Sequence, residues 1–118
     1  MQDKFLIALR IKKTIEYVKK SVDNYPHGYV VLKNNIMDSF YTLLRLSYKA
    51  NIHKEINIMK DIIVEIKMIE YFIKVSYKYK LISFNKFENI GKYLLEINAM
   101  VSSWINNETN RKSLSQNS

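Results

Sequence analysis

Cysteine is absent from this chain of 118 residues, so neither disulfides nor thiolate metal sites hold it together. Proline occurs once and glycine twice, which leaves few points where the backbone can turn tightly. A fold of many short strands needs more such points, so a few long helices are favoured. No uninterrupted apolar run approaches the roughly 20 residues of a membrane-spanning helix, and no membrane partner is expected. The first residues, Met1-Gln2-Asp3-Lys4-Phe5, lack the charged-then-apolar order of a secretory signal, so a cytoplasmic protein is expected. Catalytic signatures are missing too. There is no glycine-rich phosphate loop and no Gly-x-Ser-x-Gly turn. His27 and His53 have no second histidine at ligand spacing, and no metal or other cofactor is expected. Glu65 and Glu70, five apart, do not share a helix face, and Ser102-Ser103 has no identifiable acid–base partner. The chain is not expected to be an enzyme.

Hydrophobic residues make up 47% of the chain, enough for one core in one domain. Their spacing is helical. In helix one the stripe is Ile7, Ile11, Ile15, Val18 and Val22; residues 1–4 before it are expected to fray. Tyr25-Pro26-His27-Gly28 ends this helix, because proline forces the preceding residue into extended geometry. Helix two is expected from about Val30 to Ala50, on Leu32, Ile36, Phe40, Leu43, Leu44 and Ser47. Helix three is expected from Ile52 to Lys80, with Asn51 as its cap and Ile52, Ile56, Met59, Ile63, Ile66 and Ile73 on its stripe. After Lys80-Leu81-Ile82-Ser83, with Ser83 as cap, helix four runs from Phe84 to Asn106 through Ile90, Leu94, Ile97, Val101 and Trp104. Trp104 is expected to be a core anchor. Short links make the expected fold an all-α, up-down-up-down four-helix bundle over residues 1–106, with 107–118 a flexible polar tail.

The net charge is +8, and lysine supplies most of it. Between Tyr71 and Phe87 lie Lys74, Lys78, Lys80 and Lys86 with no acid, interleaved with Tyr77 and Tyr79. Lys74 and Lys78 are one helical turn apart. Helix one adds Lys12, Lys13, Lys19 and Lys20 as a second basic face. Clustered cations suit phosphates, and tyrosines can stack on unpaired bases, so these eight lysines are the candidate nucleic-acid contacts. The competing explanation is a solvated helix face in a protein whose Ile, Lys, Asn and Tyr content follows AT-rich codon usage.

Four stretches carry a family resemblance over about Thr14 to Ile105. They are the aromatic–proline turn Tyr25-Pro26-His27-Gly28-Tyr29 with Leu32-Lys33-Asn34-Asn35-Ile36, and the leucine-rich end of helix two, Leu43-Leu44-Arg45-Leu46-Ser47-Tyr48-Lys49-Ala50. The third runs from Phe72-Ile73-Lys74-Val75 through Leu81-Ile82-Ser83-Phe84 to Phe87-Glu88, and the fourth from Glu96-Ile97 to Ser102-Ser103-Trp104-Ile105. In these features the chain resembles the bAvd-like accessory variability proteins of diversity-generating retroelements, and the four-helix proteins encoded in 23S ribosomal RNA intervening sequences. It departs from the family pattern at His27, at Leu32-Lys33, at Lys74 in place of an arginine and at Asn98 in place of a glycine. The resemblance implies a non-enzymatic homo-oligomer, a pentamer. Such a protein binds a reverse transcriptase and its template RNA or RNA/DNA, and supports mutagenic cDNA synthesis. Phe5, Leu6, Leu9 and Leu95, apolar but off the main stripes, are then expected subunit contacts. The alternatives are an intervening-sequence-type protein of undefined role and a structural homo-oligomer with no nucleic-acid role.

Overall fold

The computed structural model describes residues 4–116. The expected fraying of residues 1–3 and the last two residues of the expected tail lie outside the described residues. The elements are α1 (Leu6–Val22), a single 3-10 turn (His27–Tyr29), α2 (Val30–His53), α3 (Ile56–Lys78) and α4 (Phe84–Gln116). Helix α1 packs against α2 and α4, and α3 packs against α2 and α4, so the four close into a bundle.

Each helix buries one stripe. Ile11, Val18, Ile36, Phe40, Leu43, Met59, Ile62, Ile66, Ile69, Ile90, Leu94 and Ile97 are the large side chains sealed from solvent along the axis. Buried hydroxyls inside helices are satisfied locally. Thr14 donates to the Arg10 carbonyl at 2.8 Å, Ser47 to Leu43 at 2.9 Å and Ser76 to Phe72 at 3.0 Å. These bonds let polar side chains sit in the core without the cost of an unpaired group.

Helix boundaries differ from the spacing-based expectation on both sides of the α2–α3 turn and at the end of α4, and α3 closes at Lys78, not Lys80. The expected break before Asn51 falls later, because α2 continues through His53 and α3 starts at Ile56. Asn51 is therefore no cap for α3; its side-chain oxygen accepts from Lys54 Nζ at 2.8 Å. Lys54 makes the break by adopting left-handed geometry at φ 52°, with its N–H on the Ala50 carbonyl. Ile52, expected on the α3 stripe, is exposed at the end of α2. At the other end α4 does not stop at Asn106. It runs 33 residues, roughly 50 Å, because no glycine or proline follows Gly91 to interrupt it. Residues 107–116, expected as a flexible tail, are thus helical. Glu108 is buried there and pairs with Arg111 one turn on, and the charge of Lys54 from the α2–α3 turn also reaches it.

Trp104 is not a fully buried anchor. It is half-buried, with its ring edge-on to Phe5 at 5.4 Å between centroids. Phe5 is drawn between Trp104 and Tyr48. Leu6, Leu9 and Leu95 are exposed, as their positions off the stripes imply.

Candidate nucleic-acid interface

The end of the bundle that carries the α3–α4 turn also receives the end of α1 and the start of α2. Its shape is set by backbone hydrogen bonds. The Leu81 N–H reaches the Ser76 carbonyl and the Lys80 N–H the Tyr77 carbonyl, both at 2.9 Å, closing α3 in a Schellman motif. The left-handed position in that motif belongs to Lys80, at φ 61°. Ser83 caps α4 as expected: its Oγ accepts from the Lys86 N–H at 3.1 Å.

The eight lysines singled out from the sequence do not fall into two separate faces. Lys74 and Lys78 are exposed on the last turns of α3, and Lys80 is exposed just past its end. Lys74 lines a shallow pocket of about 250 Å³ with Glu70, Phe87, Gly91 and Leu95, so an acid one turn away flanks this group. Lys86 leaves it. Its Nζ lies 5.1 Å from the centre of the Tyr17 ring, on the α1 side of α4. The Tyr17 hydroxyl in turn accepts from Asn89 Nδ2 at 3.1 Å. Lys86 therefore sits with Lys20, and the two line one pocket between the end of α1 and the α3–α4 turn.

Helix α1 divides its own lysines. Lys12 and Lys19 lean toward α2, Lys12 with its Nζ 5.5 Å from the Tyr48 ring centre and Lys19 bonded to Asp23 at 3.0 Å. Asp23 also reaches Lys33 of α2 at 3.5 Å. The hydrogen bond from Lys19 holds the Asp23 carboxyl below its ordinary pKa and raises that of Lys19. Lys13 opens instead onto a groove of about 500 Å³ beside Leu6, Leu9, Met100 and the Arg10–Glu96 ion pair, whose atoms are 2.9 Å apart.

The interleaved tyrosines are partly engaged. Tyr77 stacks on Phe87 with centroids 4.7 Å apart and planes 15° from parallel, and Tyr79 lies 5.9 Å from Tyr29. Both keep exposed surface, as does Phe84, so one ring face or edge remains for a base at this end. Tyr25, from the proline turn, is half-buried; burial pushes its phenol pKa up, and Ser76 offsets this in part.

Two features escaped the sequence. Ser21, Asn24 and Ser83 join Lys20 and Lys86 around one pocket, although they come from three separate segments. On α3, Val64, Met68 and Tyr71 recur at i, i+4 and i+7 on the face turned away from the buried isoleucines. Val64 is 61% and Tyr71 59% exposed. Among the described residues no group of three His, Asp or Glu side chains is placed to hold a metal ion, and no helix is long and apolar enough to cross a membrane.

The family model described as bAvd-like matches residues 5–108, nearly the whole of the bundle. No curated protein matches the chain.

Proposed function

Since the chain belongs to the bAvd-like family of accessory variability proteins, we propose that it is a non-enzymatic partner of a retroelement reverse transcriptase and of its template RNA or RNA/DNA, supporting mutagenic cDNA synthesis. The observation that carries this reading is the gathering of cations at one end of the bundle. Lys74, Lys78 and Lys80 project from the end of α3, and Lys20 and Lys86 flank the turn that follows. Such a cluster attracts a phosphate backbone and releases its counterions. Exposed edges of Tyr77, Tyr79 and Phe84 beside it suit unpaired bases.

A second copy of the chain is part of the proposal. The exposed Val64, Met68 and Tyr71 stripe, with Leu6, Leu9 and Leu95, gives apolar surface that a homo-oligomer would cover, and a pentamer is the assembly we favour. A ring would repeat the basic end around its axis and strengthen RNA binding through avidity. That stripe also favours the reading as a structural homo-oligomer without nucleic acid, so RNA binding is the deciding measurement. Reversing Lys74 and Lys78 to Glu should weaken binding of single-stranded RNA and flatten its dependence on salt. Reversing Lys49 and Lys60, at the opposite end, should do neither. Equal losses from both pairs would reduce the binding to diffuse charge attraction, and no loss from either would leave the structural oligomer as the better account.

A further inference from the structure

The pocket that Lys20 and Lys86 share has the composition of a phosphate cradle. It measures about 210 Å³, with Leu81 and Ile82 as its apolar part. Its polar lining comes from Lys20, Ser21 and Asn24 at the end of α1 and from Ser83 and Lys86 at the start of α4. No carboxylate lines it, and among the described residues neither lysine is in an ion pair.

Three physical features point to an anion. The first turn of α4 abuts the pocket through Ser83 and Lys86, and the leading N–H groups of a helix have no acceptor within it. That turn contains no acidic residue and does contain Lys86, which the positive end of the helix dipole disfavours until an anion is present. Ser21 supplies the independent sign. It is 8% exposed, and among the described residues its hydroxyl, like that of Tyr25 outside the pocket, has no hydrogen-bond partner. Thr14, Ser47 and Ser76, also buried in their helices, all fold back onto the carbonyl four residues before them. A buried hydroxyl left unpaired is costly, and rotation about one side-chain bond would offer Ser21's proton to a ligand in the pocket it lines. Asn24 donates one amide hydrogen to the Lys20 carbonyl at 3.2 Å and keeps the other free to donate. Ser83 uses an oxygen lone pair on the Lys86 N–H and retains its own proton.

We propose that this pocket binds a phosphate group. Lys20 and Lys86 would neutralise its charge, while the Ser21 and Ser83 hydroxyls and the Asn24 amide would donate to its oxygens. The proposal rests on the nucleic-acid reading only for the carrier of the phosphate, which is then a backbone phosphodiester of the bound RNA. It adds one phosphate held in a pocket to a surface whose Lys74, Lys78 and Lys80 meet the backbone from exposed positions.

The test uses amide NMR of the full chain titrated with inorganic phosphate, against chloride at matched ionic strength, followed by titration with single-stranded RNA. Saturable shifts are expected at Ser21, Asn24, Ser83 and Lys86 with phosphate and, at the same amides, with RNA. Ser21→Ala should weaken phosphate binding several-fold without loss of melting temperature, since it deletes an unpaired buried group. Lys20→Gln with Lys86→Gln should weaken it by roughly tenfold or more, as expected when charge-assisted hydrogen bonds are removed. Linear, unsaturated shifts that are identical in these variants would overturn the pocket. So would unchanged RNA affinity in these variants alongside a loss in Lys74→Glu with Lys78→Glu, an outcome that leaves the RNA reading standing. Saturable phosphate binding with no RNA binding would keep the pocket, assign it to free phosphate and remove the RNA reading.

Discussion

Lys80 joins a strained backbone position to the proposed RNA surface in one residue. Its φ of 61° places a β-carbon against its own carbonyl in the left-handed position that closes α3. Glycine there would lift a penalty of about 1–2 kcal/mol and return part of it, roughly 0.5–1 kcal/mol, as chain entropy in the unfolded state. The net gain for Lys80→Gly is then about 0.5–1 kcal/mol. The capping bonds to Ser76 and Tyr77 come from the backbone, so they survive the substitution. For a chain of 118 residues, an unfolding entropy near 2.1 cal/mol/K per residue converts this gain to about 2–4 °C in Tm. Lys80→Ala is the control: it deletes the same charge and keeps the β-carbon. Thermal melts followed by circular dichroism should rank glycine above both alanine and wild type. Both variants should lose RNA affinity, with the slope against log salt reduced by about 0.7 if Lys80 meets one phosphate of a single strand. A glycine variant that melts no higher than the alanine variant would refute the strain argument. An unchanged salt slope in both would place Lys80 outside the interface.

Trp104→Ala should cost about 2 kcal/mol, below the ~3–5 kcal/mol expected for Phe40→Ala, because Trp104 is half-buried and Phe40 sealed; equal losses in denaturant melts would contradict that placement. Asp23 has a folded pKa below its unfolded value, chiefly through the hydrogen bond from Lys19. The stability it contributes is therefore complete above the ordinary aspartate pKa and is lost as pH falls through the folded value. Asp23→Asn should flatten the acid side of a Tm-versus-pH profile, and a curve parallel to wild type would show that the pair contributes nothing. Sedimentation should give a multiple of the 14.1 kDa monomer, reduced by Met68→Glu on the exposed stripe of α3, whereas a monomer at micromolar concentration would remove the assembly reading.

What the sequence made legible depended on whether the deciding contact was local. Pro26 restricts its own neighbour, so the end of α1 could be read directly. Ser83 bonds three residues ahead, so the start of α4 could be read as well. The break at Lys54 could not, because a lysine in left-handed geometry carries no sign of it in its side chain and tertiary packing selects it. The last turns of α4 read as a tail because they are polar. Polarity removes a reason to pack but supplies no reason to unwind, and the Glu108–Arg111 pair lies within the helix itself.

The same distinction governs the candidate site. Lys74 and Lys78 share a face by helical spacing alone, and they are exposed together. Lys86 is near them in sequence but turns to the other flank of α4, where Tyr17 of α1 receives it. Its nearness to Lys20 depends on how α4 is rotated about its axis, which the buried Ile90, Leu94, Ile97 and Val101 stripe sets. Ser21 lies on the buried side of α1 with Ile11, Val18 and Val22, so spacing alone makes it one more core position. Only its contrast with the three satisfied hydroxyls separates it. An anion site built this way needs no motif, because each donor belongs to a helix end formed for packing reasons. Two lysines and one unpaired hydroxyl then suffice to give the junction a preference for phosphate.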